Sequence, residues 1–185
     1  MAERFLALLF MLSFVFQSSL AAESITAKNW PKFAGAEWGS SAEAVKKALE
    51  EKGYKCEKPK TYKGHEMIFF AGMLAGEKNT GACIFKSNKL WQLTVGYFEN
   101  KVNYDAAAFG AKLTEILSKK YGEPIDISNG KKEYLTWANS DDKRQRAILL
   151  EIIAGERISV TYNSLAAVEA RKKEKEQAKK SEEDF

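Results

Sequence analysis

Apolar and polar positions along this chain change their period from block to block. Ser40-Ser41-Ala42-Glu43 sets a hydroxyl ahead of a glutamate at capping-box spacing, and Val45, Ala48 and Leu49 then recur on one helical face. Gly53 supplies the stop that a helix C-terminus favours. Downstream the period shortens, and runs at 65–71, 81–86 and 90–98 read as strands, the last two joined by Ser87-Asn88-Lys89. In the third run Trp91, Leu93, Val95 and Tyr97 alternate with Gln92, Thr94 and Gly96, the pattern of a half-buried antiparallel strand. Helical spacing returns near Asn103 through Ala106, Phe109, Leu113, Ile116 and Leu117, and ends at Tyr121-Gly122 with Pro124 just beyond. Runs at 132–138, 146–154 and 157–163 predict three more strands, with Gly155-Glu156 as a tight turn. The stretch 147–153 is apolar on both sides and belongs in the middle of a sheet.

The order helix, three strands, helix, three strands predicts an α+β fold: an antiparallel sheet with helices packed on one face. The repeated order suggests two helix-plus-three-strand halves. Ahead of the first helix, residues 23–37 form an irregular lead-in whose Trp30 and Phe33 lay aromatic rings on the domain. Residues 165–185 are a highly charged helical or disordered tail, with Glu169 and Lys173, and Lys172 and Glu176, at ion-pair spacing. With 185 residues, 45% of them hydrophobic, the chain carries enough apolar surface for one core, and 23–164 is expected to form a single domain.

Residues 1–22 change the setting. Arg4, an apolar run over 5–16 and the close Gln17-Ser18-Ser19-Leu20-Ala21-Ala22 read as a secretory signal peptide cleaved after Ala21 or Ala22. The run falls short of the roughly 20 residues a bilayer span needs, and no cysteine stands at the junction to carry a lipid. The expectation is a periplasmic or secreted domain without stable membrane insertion. Losing this segment removes Glu3 and Arg4 together and leaves the net charge at +4. Charges of both signs are interleaved with no basic stripe, which argues against a nucleic-acid partner. In an oxidising compartment Cys56 and Cys83 are expected to close a disulfide, two separate buried thiols being the alternative.

Catalytic signatures are scarce. His65 is the only histidine, so no His-His metal motif can form within the chain. No Gly-x-Ser-x-Gly elbow, no Cys-x-x-Cys and no Gly-Lys-Ser/Thr phosphate loop occurs. Asp141-Asp142 adjoin Lys143-Arg144 and read as a solvated loop rather than a calcium site. No catalytic, cofactor-binding or metal-binding residue is assigned, although acids distant in sequence can converge in space for hydrolysis. If helices cover one sheet face, the other presents Gln92, Thr94, Phe98, Tyr134 and Thr136, with Ser159 and Thr161, as the candidate partner-binding surface. Trp91, Tyr97, Trp137 and Tyr162 at strand positions either line a ligand groove or fill the core, with core filling the default.

Trp38-Gly39-Ser40-Ser41 followed by Val45 and Leu49, Lys89-Leu90-Trp91 opening a strand, and Tyr121-Gly122-Glu123-Pro124 closing a helix resemble a broad group of small exported bacterial proteins of unknown function, across most of 33–163. The element order is also similar to the sheet-and-helix modules of beta-lactamase inhibitor proteins and of small outer-membrane assembly lipoproteins, which act by binding other proteins. The resemblance implies a noncatalytic module for an envelope or extracellular protein partner, and carries over no catalytic residue. The lipid-bearing cysteine of the assembly lipoproteins is missing here. A small-ligand or envelope-polymer binder, and an unrecognised hydrolase, are the competing readings.

Overall fold

A computed structural model describes residues 25, 29–98, 106–129, 132–138, 146–153 and 157–183. The N-terminal segment 1–22, Asn103, the loop at 141–144 and the turn at Gly155-Glu156 lie outside the described residues. The fold is α+β and mostly sheet. Helix α1 (Ala42–Glu51) precedes strands β1 (Lys55–Cys56), β2 (Lys60–Tyr62), β3 (His65–Leu74), β4 (Glu77–Lys86) and β5 (Lys89–Phe98). Helix α2 (Ala106–Tyr121) precedes β6 (Ile125–Asp126), β7 (Lys132–Ala138), β8 (Arg146–Ile153) and β9 (Arg157–Asn163), and helix α3 (Leu165–Glu183) follows. The short strands β1, β2 and β6 add to the six expected from sequence.

All nine strands form one antiparallel sheet in the order β1-β3-β4-β5-β9-β8-β7-β6, with β2 also on the outer side of β3. The centre is the β5–β9 seam, where Gln92 to Phe98 pair with Asn163 to Arg157. As the apolar run implied, β8 lies inside the sheet, between β7 and β9. The N-cap of α1 is Ser41, which accepts from Ala44 N at 3.4 Å, one residue later than the capping-box spacing placed it. Gly53 follows at φ +85°, a left-handed conformation that glycine adopts without strain.

Strand alternation divides the side chains between two faces. Ile68, Cys83, Leu93, Tyr162, Ile148 and Trp137 form one cross-strand rung of the core face, and all are buried. Val45 and Leu49 of α1 and Phe109, Leu113 and Leu117 of α2 join the same cluster. Phe109 meets Tyr97 edge-on at 4.6 Å between ring centroids. The lead-in places Phe33 against Tyr54, Phe70 and Tyr162 at 5.5, 5.9 and 5.7 Å. Each fully buried aliphatic or aromatic side chain of this kind contributes about 1.5–3 kcal/mol.

Cys56 and Cys83, the pair expected to close a disulfide, are both free thiols in the structure. Cys56 lies opposite Phe70, and Cys83 opposite Ile68 on the far side of β3. Two strand spacings of about 4.8 Å separate their backbones by about 10 Å, and a disulfide requires Cα atoms within about 7 Å.

The charged stretch after Ser164 is helical to Glu183, and its first turns are anchored. Ser164 caps it by accepting from Ala167 N at 3.1 Å, and Ala167 and Val168 are buried. Arg171 donates to Gln92 Oε1 at 2.8 Å and to Asn163 Oδ1 at 3.0 Å. Gln92 and Asn163 are cross-strand partners on the face opposite the core rung, so α3 borders that second face. No described helix is long and apolar enough to cross a membrane.

Candidate functional site

The second face has an uneven floor. Ala71, Thr80, Gly96, Ser159 and Glu151 form one rung across β3, β4, β5, β9 and β8. Phe69, Ala82, Thr94 and Thr161 form the next. Apart from Phe69 and Glu151 these side chains are small, and they lie between flanking rungs of longer ones. Met67, Ile84 and Gln92 stand on one side, Met73, Lys78 and Arg157 on the other. The result is a half-open trough of about 750 Å³, with Lys55 and Glu57 at one end and Glu151 and Arg157 at the other. No helix residue contributes to its lining among the described residues.

Polar contacts in the trough are local. Thr94 and Thr161 share a hydroxyl–hydroxyl hydrogen bond of 3.1 Å across the central seam. Glu151, its side chain only 17% exposed, accepts from Arg157 Nη2 at 3.2 Å and from Ser159 Oγ at 3.3 Å. This carboxylate is occupied by two donors of its own chain. Cys56 borders the trough, but its Sγ turns to the core face and donates to Lys46 O of α1 at 4.0 Å; burial pushes this thiol up from the ordinary value, reinforced by Glu50 and opposed by Lys46. Burial raises the Cys83 thiol much further, with Cys56 adding to it. A nucleophilic cysteine needs the opposite displacement. Among the described residues, no three His, Cys, Asp or Glu side chains converge in a way that could hold a metal ion.

The residues singled out from sequence separate here. Thr94, Ser159 and Thr161 lie in the trough. Gln92 shares their face but is held by Arg171. Thr136 is also on that face by register, yet it is fully buried and its hydroxyl donates to Ile148 O at 2.9 Å, which removes it from any contact surface. Tyr134 is half-buried opposite Glu151. Phe98 takes the register position opposite Arg157, and its side chain lies outside the described residues.

Sequence reasoning missed Lys55, Phe69, Ala71, Thr80, Ala82, Glu151 and Arg157. The stretch 67–71 is apolar at successive positions, so no alternation marks Phe69 and Ala71 as facing away from Ile68 and Phe70. Once β3 and β4 are put in register, Ala71 opposite Thr80 and Phe69 opposite Ala82 reveal the small-residue floor. Comparison of the chain with models of protein families, with characterised proteins and with solved structures finds no match.

Proposed function

We propose that this protein is a noncatalytic binding module that receives an extended segment of a protein partner in the trough of its second sheet face. The observation that carries the reading is the pair of adjacent small-residue rungs between rungs of longer side chains. The trough crosses five strand spacings from β1 to β8, about 24 Å, which matches about seven residues of extended chain. Its floor offers Thr and Ser hydroxyls to a peptide backbone and Phe69 to an apolar side chain, while the charged groups stay at the two ends. That division, an apolar centre within a polar rim, is the usual anatomy of a protein interface.

In this reading α1 and α2 cover the core face, leaving the second face for the partner with α3 as its border. The strands β1, β3, β4 and β5 mirror β6, β7, β8 and β9 about the central seam, which supports two helix-plus-strand halves. The export signal read in residues 1–22 gives the module a place of work in the periplasm or outside the cell, with an envelope or extracellular protein as partner.

The test is capture of partners from the cell-envelope fraction with tagged protein and with Thr80→Arg and Ala82→Arg variants, whose thermal unfolding is checked in parallel. A stoichiometric protein retained by the wild type and by a Lys47→Ala control on α1, but lost from both arginine variants, is the expected result. A partner that binds the folded arginine variants equally well would overturn the trough as the site.

A further inference from the structure

A second cavity, of about 520 Å³, lies away from the trough, where the lead-in, the β4–β5 turn and the start of α3 meet. Trp30, Trp38 and Trp91, three of the four tryptophans of the chain, line it together with Lys86, Lys89 and Leu165. Its walls are fixed from several directions. Trp30 donates its indole N–H to Asn163 O and Trp38 to Pro31 O, each at 2.6 Å. Gly39 N to Leu90 O and Leu90 N to Ser40 O bind the lead-in to β5, and Ser164 N to Trp91 O binds the start of α3. With their N–H groups committed inside the protein, the half-buried Trp38 offers ring surface alone, and Trp30, 6% exposed, backs the wall from the core. Trp91 has no acceptor for its N–H among the described residues.

The two lysines stand at the mouth for a reason visible in the backbone. Ser87 and Asn88, at φ +51° and +56°, form the tight two-residue turn between β4 and β5, which makes Lys86 and Lys89 cross-strand partners. Like charges directly opposite one another are destabilising in a sheet. Lys86 rests its ammonium 4.7 Å from the ring centroid of Trp91. Neither lysine has an acidic partner among the described residues, and no carboxylate lines the cavity. The site thus combines aromatic walls, two cations with no acidic partner among the described residues and a volume in the small-molecule range.

The geometry points to a binding site for a small organic carboxylate built on a flat apolar ring, the ring stacking among the tryptophans and the carboxylate meeting Lys86 and Lys89. An anion there relieves the repulsion between the lysines, and an uncharged molecule of the same shape forgoes that gain.

Calorimetric titration of the purified protein with indole-3-acetate and, separately, its neutral isostere indole-3-acetamide tests the site. The expected result is a Kd for the carboxylate below about 1 mM, at least about tenfold weaker binding of the amide, and a loss of about tenfold for the carboxylate in a K86Q/K89Q variant. Both substitutions lie on an exposed turn, and removing a like-charge pair leaves the thermal midpoint equal or higher. The trough variant Ala82→Arg binds the carboxylate as the wild type does. Equal affinity for the two probes, undiminished binding by K86Q/K89Q, or no binding of the carboxylate would each overturn the assignment.

Discussion

Replacing Gly72 by alanine sets two effects of opposite sign against each other. Gly72 lies in β3 opposite Asn79 with an ordinary strand backbone, and a strand glycine changed to alanine normally gains about 0.5–1 kcal/mol. Here the added Cβ would stand 2.3 Å from Cδ1 and 2.7 Å from Cε1 of Tyr54, well inside ordinary contact at about 3.5–4.0 Å. The Tyr54 ring has little room to retreat. It meets Phe70 edge-on at 5.4 Å and Phe33 at 5.5 Å, and its hydroxyl donates to Met73 O at 3.2 Å. Overpacking a core costs about 1–3 kcal/mol, and freeing the ring would give up a hydrogen bond and two ring contacts of about 0.5–1.5 kcal/mol each. The expected outcome is net destabilisation of about 2–3 kcal/mol, read as a lower urea midpoint at unchanged slope. In a Tyr54→Ala background the same substitution fills vacated space, so its cost should vanish and the double-mutant cycle should show coupling of about 2–3 kcal/mol. A Gly72→Ala protein as stable as the wild type, or an equal cost in both backgrounds, would refute this account of β3.

Three further outcomes are expected. Unfolded without reductant, the protein should expose two reactive thiols, Cys56 reacting faster than the buried Cys83 in the native state; none on unfolding would contradict the strand order β1-β3-β4. Burial raises the phenols of Tyr54 and Tyr162 above their ordinary value of 10.0; the unfolded chain therefore releases these protons first, and stability should be full below pH 10 and fall as pH rises through the folded-state values. Urea midpoints that rise between about pH 9 and about pH 11 would contradict that burial. Arg171→Lys should lose the fork that reaches both Gln92 and Asn163 and cost about 1 kcal/mol, with faster amide hydrogen exchange in α3 and unchanged exchange in β8; unaltered exchange in α3 would show that the clamp does not hold the helix.

Periodicity reveals an element when one face is buried and the other is not. That condition holds for α1, α2, β5 and β9, whose places were readable from spacing alone. It fails for β1 and β2, two- and three-residue edge strands whose side chains are largely exposed and so carry no pattern. The polar start of β4 lay outside the run read at 81–86; in the fold Asn79 there is buried and its amide donates to Gly72 O and Glu77 O. Face assignment was legible for Thr94, Ser159 and Thr161, since alternation fixes it strand by strand. Depth along a face was not, because Thr136 and Thr94 look alike in sequence while only one is sealed from solvent. For a related reason sequence does not disclose that β3 runs between the two cysteines. The lysine pair at the β4–β5 turn becomes visible only once the turn's two residues and its register are known.

The β5–β9 seam also divides the chain by how far apart in sequence its contacts lie. Lys86 and Lys89 meet across a two-residue turn, whereas Phe98 meets Arg157 only after about sixty residues have been brought round. Loop-closure entropy makes the second encounter costlier by about 2–3 kcal/mol before any pairing energy is recovered. The hairpins on either side are local and form on the microsecond scale, so joining them is expected to be the slow event of folding. Substitutions at Val95 and Val160, which face each other across the seam, therefore act mainly on folding, while equally destabilising changes in the β3–β4 hairpin act mainly on unfolding.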